Sequence, residues 1–170
     1  RPRSAGMSAS QLLAIDVGTQ SARAIVFDAQ GHLLAPAQRV FEPTYHSPQP
    51  GWAEQHPETY WEAVVACVHE LWASHAVRPA DIAGLAVTTQ RATTVCLDNG
   101  GHVLRPGILW LDQRRCDQPP PMGPLWDAAF ALAGAGGLVR HFQQEAEANW
   151  LAQYQPALWH ETKKYLFLSG

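Results

Sequence analysis

QLLAIDVGTQSARAIVFD, residues 11–28, holds two short apolar runs, LLAIDV and ARAIVFD, on either side of the small and polar GTQS. Runs of this length with β-branched residues, separated by turn chemistry, read as a β-hairpin. Ala29-Gln30-Gly31 supplies a second turn and residues 32–41 a third, weaker strand, so the chain is expected to open with an antiparallel meander.

The connection inside that hairpin, Asp16-Val17-Gly18-Thr19-Gln20-Ser21-Ala22-Arg23, is the most informative stretch. A glycine beside small hydroxylated residues lets backbone N–H groups approach a phosphate closely, and an acidic residue at the end of the first strand can hold Mg²⁺ directly or through water. The same letters also suit an ordinary polar turn with a satisfied aspartate.

Further along, residues 42–56 carry three prolines and a glycine and read as an extended loop. Pro57 suits a first helical turn, with Glu58 close behind. Trp61, Val64, Val65, Val68, Leu71 and Trp72 then recur at three- and four-residue steps, which predicts a helix to about His75 burying that face. Ile82 to Thr88 reads as a buried strand and Thr93 to Asp98 as another, with Asn99-Gly100-Gly101 a tight turn. Ile108 to Leu111 is a brief apolar segment before a proline-rich loop. Helices are expected at Leu125–Leu132, from Gln143 to about Tyr154, and over Ala157–Tyr165, ahead of a buried segment starting at Leu166.

These stretches together resemble the FGGY carbohydrate kinases, relatives of glycerol kinase and xylulokinase in the actin-like ATPase superfamily. The likeness rests on the DVGTQSAR turn, on Gly51-Trp52-Ala53-Glu54-Gln55-His56-Pro57 ahead of a helix, on Gln90-Arg91-Ala92-Thr93-Thr94 after a strand, and on Ile108-Leu109-Trp110-Leu111-Asp112-Gln113-Arg114. Asn149-Trp150-Leu151 with Pro156-Ala157-Leu158-Trp159 is similar to a later helical segment. The order and approximate spacing of all of these match, from Leu12 to Ser169.

The resemblance implies an α/β fold: an actin-like (ribonuclease H-like) domain whose mixed sheet begins with the meander and is flanked by helices, incomplete relative to the family's full domain. It implies ATP and Mg²⁺ as cofactors and phosphorylation of a sugar or polyol hydroxyl. Asp16 would help place Mg²⁺; Gly18, Thr19, Gln20 and Ser21 would line the phosphates; and Arg23 would face the transferred phosphoryl group. Arg91 and Trp110 correspond to polyol-contacting positions, with Asp112 a candidate acceptor, although an aspartate capping its own loop is the commoner use of that residue. Where glycerol kinases carry a glutamate after the arginine, this chain has Ala92, which removes an acceptor for a small polyol.

Family members are much longer, and the general base and adenosine motifs lie beyond this stretch, so residues 7–170 are expected to be an amino-terminal fragment, inactive alone. Its expected partners are the remainder of the kinase, a sugar or polyol, and a second copy in a homodimer. The rival reading is a non-catalytic actin-like nucleotide sensor or regulatory module, which would have no use for Arg91 and Trp110. Two juxtapositions follow: Asp16, Thr19 and Arg23 at one end of the hairpin facing a shared cleft, and Arg91 and Trp110 within a small molecule's reach of each other and of that cleft.

Composition narrows the alternatives. Twelve Lys and Arg against fifteen Asp and Glu, scattered along the chain, argue against a nucleic-acid partner. Apolar stretches too short to span a bilayer argue against a membrane. Three cysteines without CxxC spacing suit a reducing, cytoplasmic setting and buried thiols. His69 and His75 are six apart and cannot share a metal from one helix face, and Gly134-Ala135-Gly136-Gly137 suits a helix C-cap better than a dinucleotide loop. The lead-in, residues 1–6, reads as an expression scar or a frayed terminus.

Overall fold

The structure, a computed structural model, describes residues 10–170. The lead-in at residues 1–6 lies outside the described residues. In chain order the elements are β1 (Gln11–Val17), β2 (Ser21–Asp28), β3 (Leu33–Val40), β4 (Glu54–Gln55), α1 (Pro57–Ala73), β5 (Ile82–Thr89), β6 (Thr94–Leu97), β7 (Gly107–Ile108), α2 (Pro124–Leu132), α3 (Gly136–Glu145), α4 (Glu147–Tyr154), α5 (Pro156–Glu161) and β8 (Lys164–Phe167). They fall into two compact units. One comprises the chain up to Tyr45 with His56–Arg91 and Leu168–Gly170; the other comprises His46–Gln55 and Ala92–Phe167.

The first unit is a four-stranded mixed sheet in the order β3-β2-β1-β5, with the expected meander antiparallel and β5 parallel to β1. Parallel strands need a crossover, and α1 with the single 3-10 turn Pro79–Asp81 provides it. The buried inner face is unusually small: Ala22, Ala24, Ala35 and Ala37 lie under α1. The buried residues of α1 are Tyr60, Ala63, Cys67 and Leu71, and of the expected apolar face Val64, Val68 and Trp72 also pack, partly buried, against this core, whereas Trp61 does not. Trp61 is 71% exposed. Its neighbours Val64, Val65 and Val68 line an open apolar groove of about 580 Å³ together with Leu13, Ile15 and Val17 of β1 and Leu85 and Val87 of β5. The strand expected at 82–88 is present, but it is the outermost strand and largely exposed, because among the described residues only β1 pairs with it.

The second unit is built on an antiparallel sheet in the order β4-β7-β6-β8 beside α2–α5. Its core holds Cys96, Ile108, Cys116, Trp150 and Leu151. All three cysteines are free and buried, as expected of apolar thiols. Gly134, with φ 67°, ends α2 in the left-handed conformation that a C-cap glycine adopts. Two expectations need correction. The helix expected from Gln143 is two helices, since Ala146 leaves helical geometry with ψ 113° and α3 begins earlier, at Gly136. The last helix stops at Glu161, after which Lys164–Phe167 pairs with β6.

Candidate active site

The hairpin register sets Asp16 directly opposite Arg23. Leu13, Ile15 and Val17 are buried, so strand alternation turns Asp16 to the other face. There it accepts a hydrogen bond from Arg23 Nη1 at 3.1 Å, with both side chains close to half exposed. The pair is thus a surface one, oriented by the ladder rather than by burial.

The connecting turn is held from inside. Gly18 N–H donates to the Ser21 carbonyl at 2.9 Å, and the Gln20 carbonyl accepts from Phe41 N–H at 2.9 Å, which ties the turn to the end of β3. The Thr19 hydroxyl donates to Gln90 Oε1 at 2.7 Å. Ser21 is buried and its hydroxyl accepts from Gln38 Nε2 at 3.1 Å, whereas Gln20 is exposed. Gly18 has no positive φ, and a Cβ built on it would meet only the Ser21 carbonyl oxygen, at an ordinary 3.5 Å. Nothing within the described chain requires glycine at this position. Arg91 is exposed in the bend that follows β5, and Ala92 adopts φ 51°, a left-handed conformation uncommon for alanine.

In the second unit Trp110 is 58% exposed and borders a polar hollow of about 540 Å³ together with Gln113, Arg115, Glu145 and Glu147. Asp112 lies at the same hollow, but its carboxylate is engaged in holding the loop. It accepts from Ala53 N–H at 2.6 Å, from Arg114 N–H at 2.9 Å, and from Arg114 Nε and Nη2 at 2.7 Å each. That is the loop-capping use of the residue, so the substrate-acceptor role expected of Asp112 has no geometric support. Glu147, at the start of α4, has its carboxyl pushed up chiefly by burial, with the negative charge of Asp112 adding to the effect.

Sequence reasoning missed the arginine at the centre of this loop. Arg114, 1% exposed at its side chain, also donates from Nη2 to Glu54 at 2.8 Å, and Glu54 pairs in turn with Arg105. The Arg114 guanidinium lies 3.9 Å from the Trp52 ring centroid and 4.7 Å from that of Trp150, whose rings meet edge to face at 5.3 Å. Trp52 and Glu54, Asp112 and Arg114, and Trp150 come from three separate stretches quoted above for their resemblance. They build one ionic and aromatic cluster. The signal available in the sequence was charged residues set close to tryptophans, Glu54 after Trp52 and Asp112 and Arg114 after Trp110, but it carries no information on who meets whom.

Arg91 is the last residue of its stretch of the first unit, and Trp110 belongs to the second. Among the described residues no three His, Cys, Asp or Glu side chains are grouped to hold a metal. A magnesium ion at the hairpin would therefore take Asp16 as its protein contact and fill its remaining sites with phosphate oxygens and water, the usual pattern for that ion.

Comparison with known proteins agrees with this architecture. Residues 11–169 match the model of the FGGY family of carbohydrate kinases, N-terminal domain. The chain is 42% identical over 150 residues to a glycerol kinase of Methylibium petroleiphilum, covering 85% of this chain and 29% of that protein. It is 41% identical over 141 residues to a glycerol kinase of Citrifermentans bemidjiense, covering 82% and 28%. Among solved structures, a xylulose kinase from Rhodospirillum rubrum superposes with a TM-score of 0.72 at 28% identity, over 94% of this chain and 32% of that one. The chain thus spans under a third of the length of these relatives.

Proposed function

From the premise that the chain belongs to the FGGY family of carbohydrate kinases, and so has their actin-like ATPase fold, we propose that the protein carrying it transfers the γ-phosphoryl group of ATP to a hydroxyl of a sugar or polyol. The observation that carries this reading is the hairpin end. An aspartate and an arginine face each other at the strand terminus, beside a turn whose glycine nothing in the chain itself requires.

Magnesium, when bound with the nucleotide, neutralises phosphate charge and fixes the geometry of the phosphate chain. The protein's own residues do the rest by position. Asp16 faces the ion. Arg23, held in orientation by its bond to Asp16, directs a permanent positive charge toward the phosphoryl group, where charge spreads during transfer. Thr19 and Gln20 border the phosphates at the turn, while the buried Ser21 supports the turn from beneath through Gln38. Arg91 hydrogen-bonds substrate hydroxyls and Trp110 offers an apolar wall to the sugar's C–H face. Asp112 serves the Trp110 loop as a brace. The absence of a carboxylate at Ala92 disfavours glycerol and favours a larger sugar or polyol with hydroxyls within reach of other groups.

The test is a coupled ADP-release assay on the full-length protein with a panel of ketoses, aldoses and polyols. Sugar-stimulated turnover that falls at least about a hundredfold in Asp16→Ala and Arg23→Ala is the expected result, in line with the loss of preorganised charge stabilisation. Nucleotide binding with no sugar-dependent turnover on any member of the panel would overturn the kinase reading in favour of a nucleotide-dependent module.

A further inference from the structure

Gln90 has no assigned role in the site above, yet one end of its side chain is tied to the turn at Thr19 and the other to Tyr60 of α1. Its backbone N–H donates to the Val17 carbonyl at 2.7 Å, one residue beyond the last β1–β5 pair, Val17–Thr89. Its Cα is thereby locked against the end of β1. From there the side-chain Oε1 accepts the Thr19 hydroxyl at 2.7 Å, and Nε2 donates to the Tyr60 hydroxyl at 2.9 Å.

Tyr60 is itself firmly seated. It is buried on α1, edge to face with Phe41 at 5.6 Å, and Phe41 is the residue whose N–H holds the Gln20 carbonyl. Burial pushes the Tyr60 phenol up to about 12, so it stays neutral at every physiological pH. Thr19 and Gln20, adjacent residues of one turn, are therefore braced through neighbouring side chains of the same buried group.

The amide has two distinct ends, and this decides what Thr19 can do. Because Nε2 is directed at Tyr60, the carbonyl end of Gln90 faces Thr19 and can only accept. A threonine hydroxyl carries a single proton. With that proton directed to Gln90, the Thr19 oxygen has only lone pairs to present to anything else and cannot donate to a phosphate oxygen.

We propose that Gln90, anchored by Tyr60, is a positioning residue of the nucleotide-phosphate site: it holds Thr19 in one orientation with the hydroxyl proton turned away, so that the oxygen would accept from water held by the magnesium ion of the bound nucleotide. This rests on the reading of residues 16–23 as the phosphate turn. Its consequence is a preference for the magnesium complex of the nucleotide over the bare anion. An acceptor oxygen is favourable toward the hydrated cation and unfavourable toward a naked phosphate.

The experiment is calorimetric titration of the full-length protein with MgADP, and with ADP in EDTA, alongside thermal unfolding. The proteins compared are the unmodified one, Gln90→Leu, Tyr60→Phe, Thr19→Val and the Gln90→Leu/Thr19→Val pair. Losing one oriented hydrogen bond should weaken MgADP binding about five- to tenfold in Gln90→Leu, with bare ADP changed by less than about twofold. Tyr60→Phe, which keeps the ring and its Phe41 contact, should shift the same ratio in the same direction by about threefold, and it carries the test if Gln90→Leu does not fold. Adding Gln90→Leu to Thr19→Val should cost no more than about twofold, because both act on one bond.

Equal weakening of MgADP and bare ADP, or a fall in Tm with both affinities unchanged, would overturn the proposal and leave Gln90 a purely structural residue. So would fully multiplicative effects in the double variant. If Thr19→Val weakens MgADP binding and Gln90→Leu does not, the positioning role alone fails. If Thr19→Val leaves MgADP binding unchanged, the phosphate-turn reading fails and takes this proposal with it.

Discussion

At Arg114 the guanidinium meets the carboxylates of Glu54 and Asp112 and lies close to the rings of Trp52 and Trp150. Replacing it with methionine leaves Glu54 and Asp112 with buried charges and fewer partners. Breaking a buried pair from one side typically costs about 3–5 kcal/mol, and urea denaturation should show a loss in that range. Arg114→Lys should recover less than half of it, since an ammonium can neither bind a carboxylate with two parallel N–H groups nor stack on an indole. Glu147 shows the opposite case. Burial raises its carboxyl above the ordinary 4.5, so the folded state binds the proton more tightly than the unfolded chain does. The group's contribution to stability is therefore fully present below pH 4.5 and is lost as pH rises through the raised value. Glu147→Gln should accordingly raise the Tm at pH 7 and leave it nearly unchanged at pH 4, measured by thermal unfolding at the two pH values. Neither effect was legible in the sequence, where Arg114 and Glu147 are single letters in polar stretches.

The helix α1 shows where pattern reading succeeds and where it stops. Its limits, Pro57 to Ala73, follow from the proline at the first turn and from three- and four-residue apolar spacing. Its rotation follows only in part: Val64, Val68, Leu71 and Trp72 of the expected face pack against the core, but Trp61 does not, and Tyr60, Ala63 and Cys67 are buried instead. Apolar residues cover more than half of this helix, so periodicity alone leaves its exact rotation open. Leu71→Ala, at a buried position of the helix, should cost about 2–5 kcal/mol by chemical denaturation of this chain. Trp61→Ala, on the open groove, should change stability by no more than about 0.5 kcal/mol in the same measurement. Comparable losses for the two would show that the helix is rotated from the orientation described.

For the molecule as a whole, the chain covers 28–32% of the relatives compared, and none of its residues is assigned as the base that deprotonates the sugar hydroxyl. A general base alone contributes about 10²- to 10⁴-fold, and closure around both substrates supplies the in-line geometry. The 170-residue chain on its own should therefore show no sugar-stimulated ADP release with Mg²⁺-ATP and the same sugar panel. Release above background that Asp16→Ala abolishes would mean that the catalytic apparatus is complete within it. No helix among the described residues is long and apolar enough to cross a membrane.

The sequence by itself determined the meander, the hairpin, the helix that starts at Pro57 and the family, because these depend on local periodicity, turn chemistry and the order of motifs along the chain. It also placed Asp16, Gly18, Thr19 and Arg23 together, since a two-stranded ladder turns eight consecutive residues into neighbours across one turn. Tertiary structure alone decided that Tyr60 and Cys67 rather than Trp61 are buried on α1, that Asp112 braces a loop, that Arg114 joins three distant stretches, and that Gln90 reaches Thr19 across 71 residues. The physical reason is common to all four. Each depends on contacts between segments far apart in the chain, where partner choice follows from shape, burial and the pairing of charges that water no longer screens, and no local spacing in the sequence encodes those.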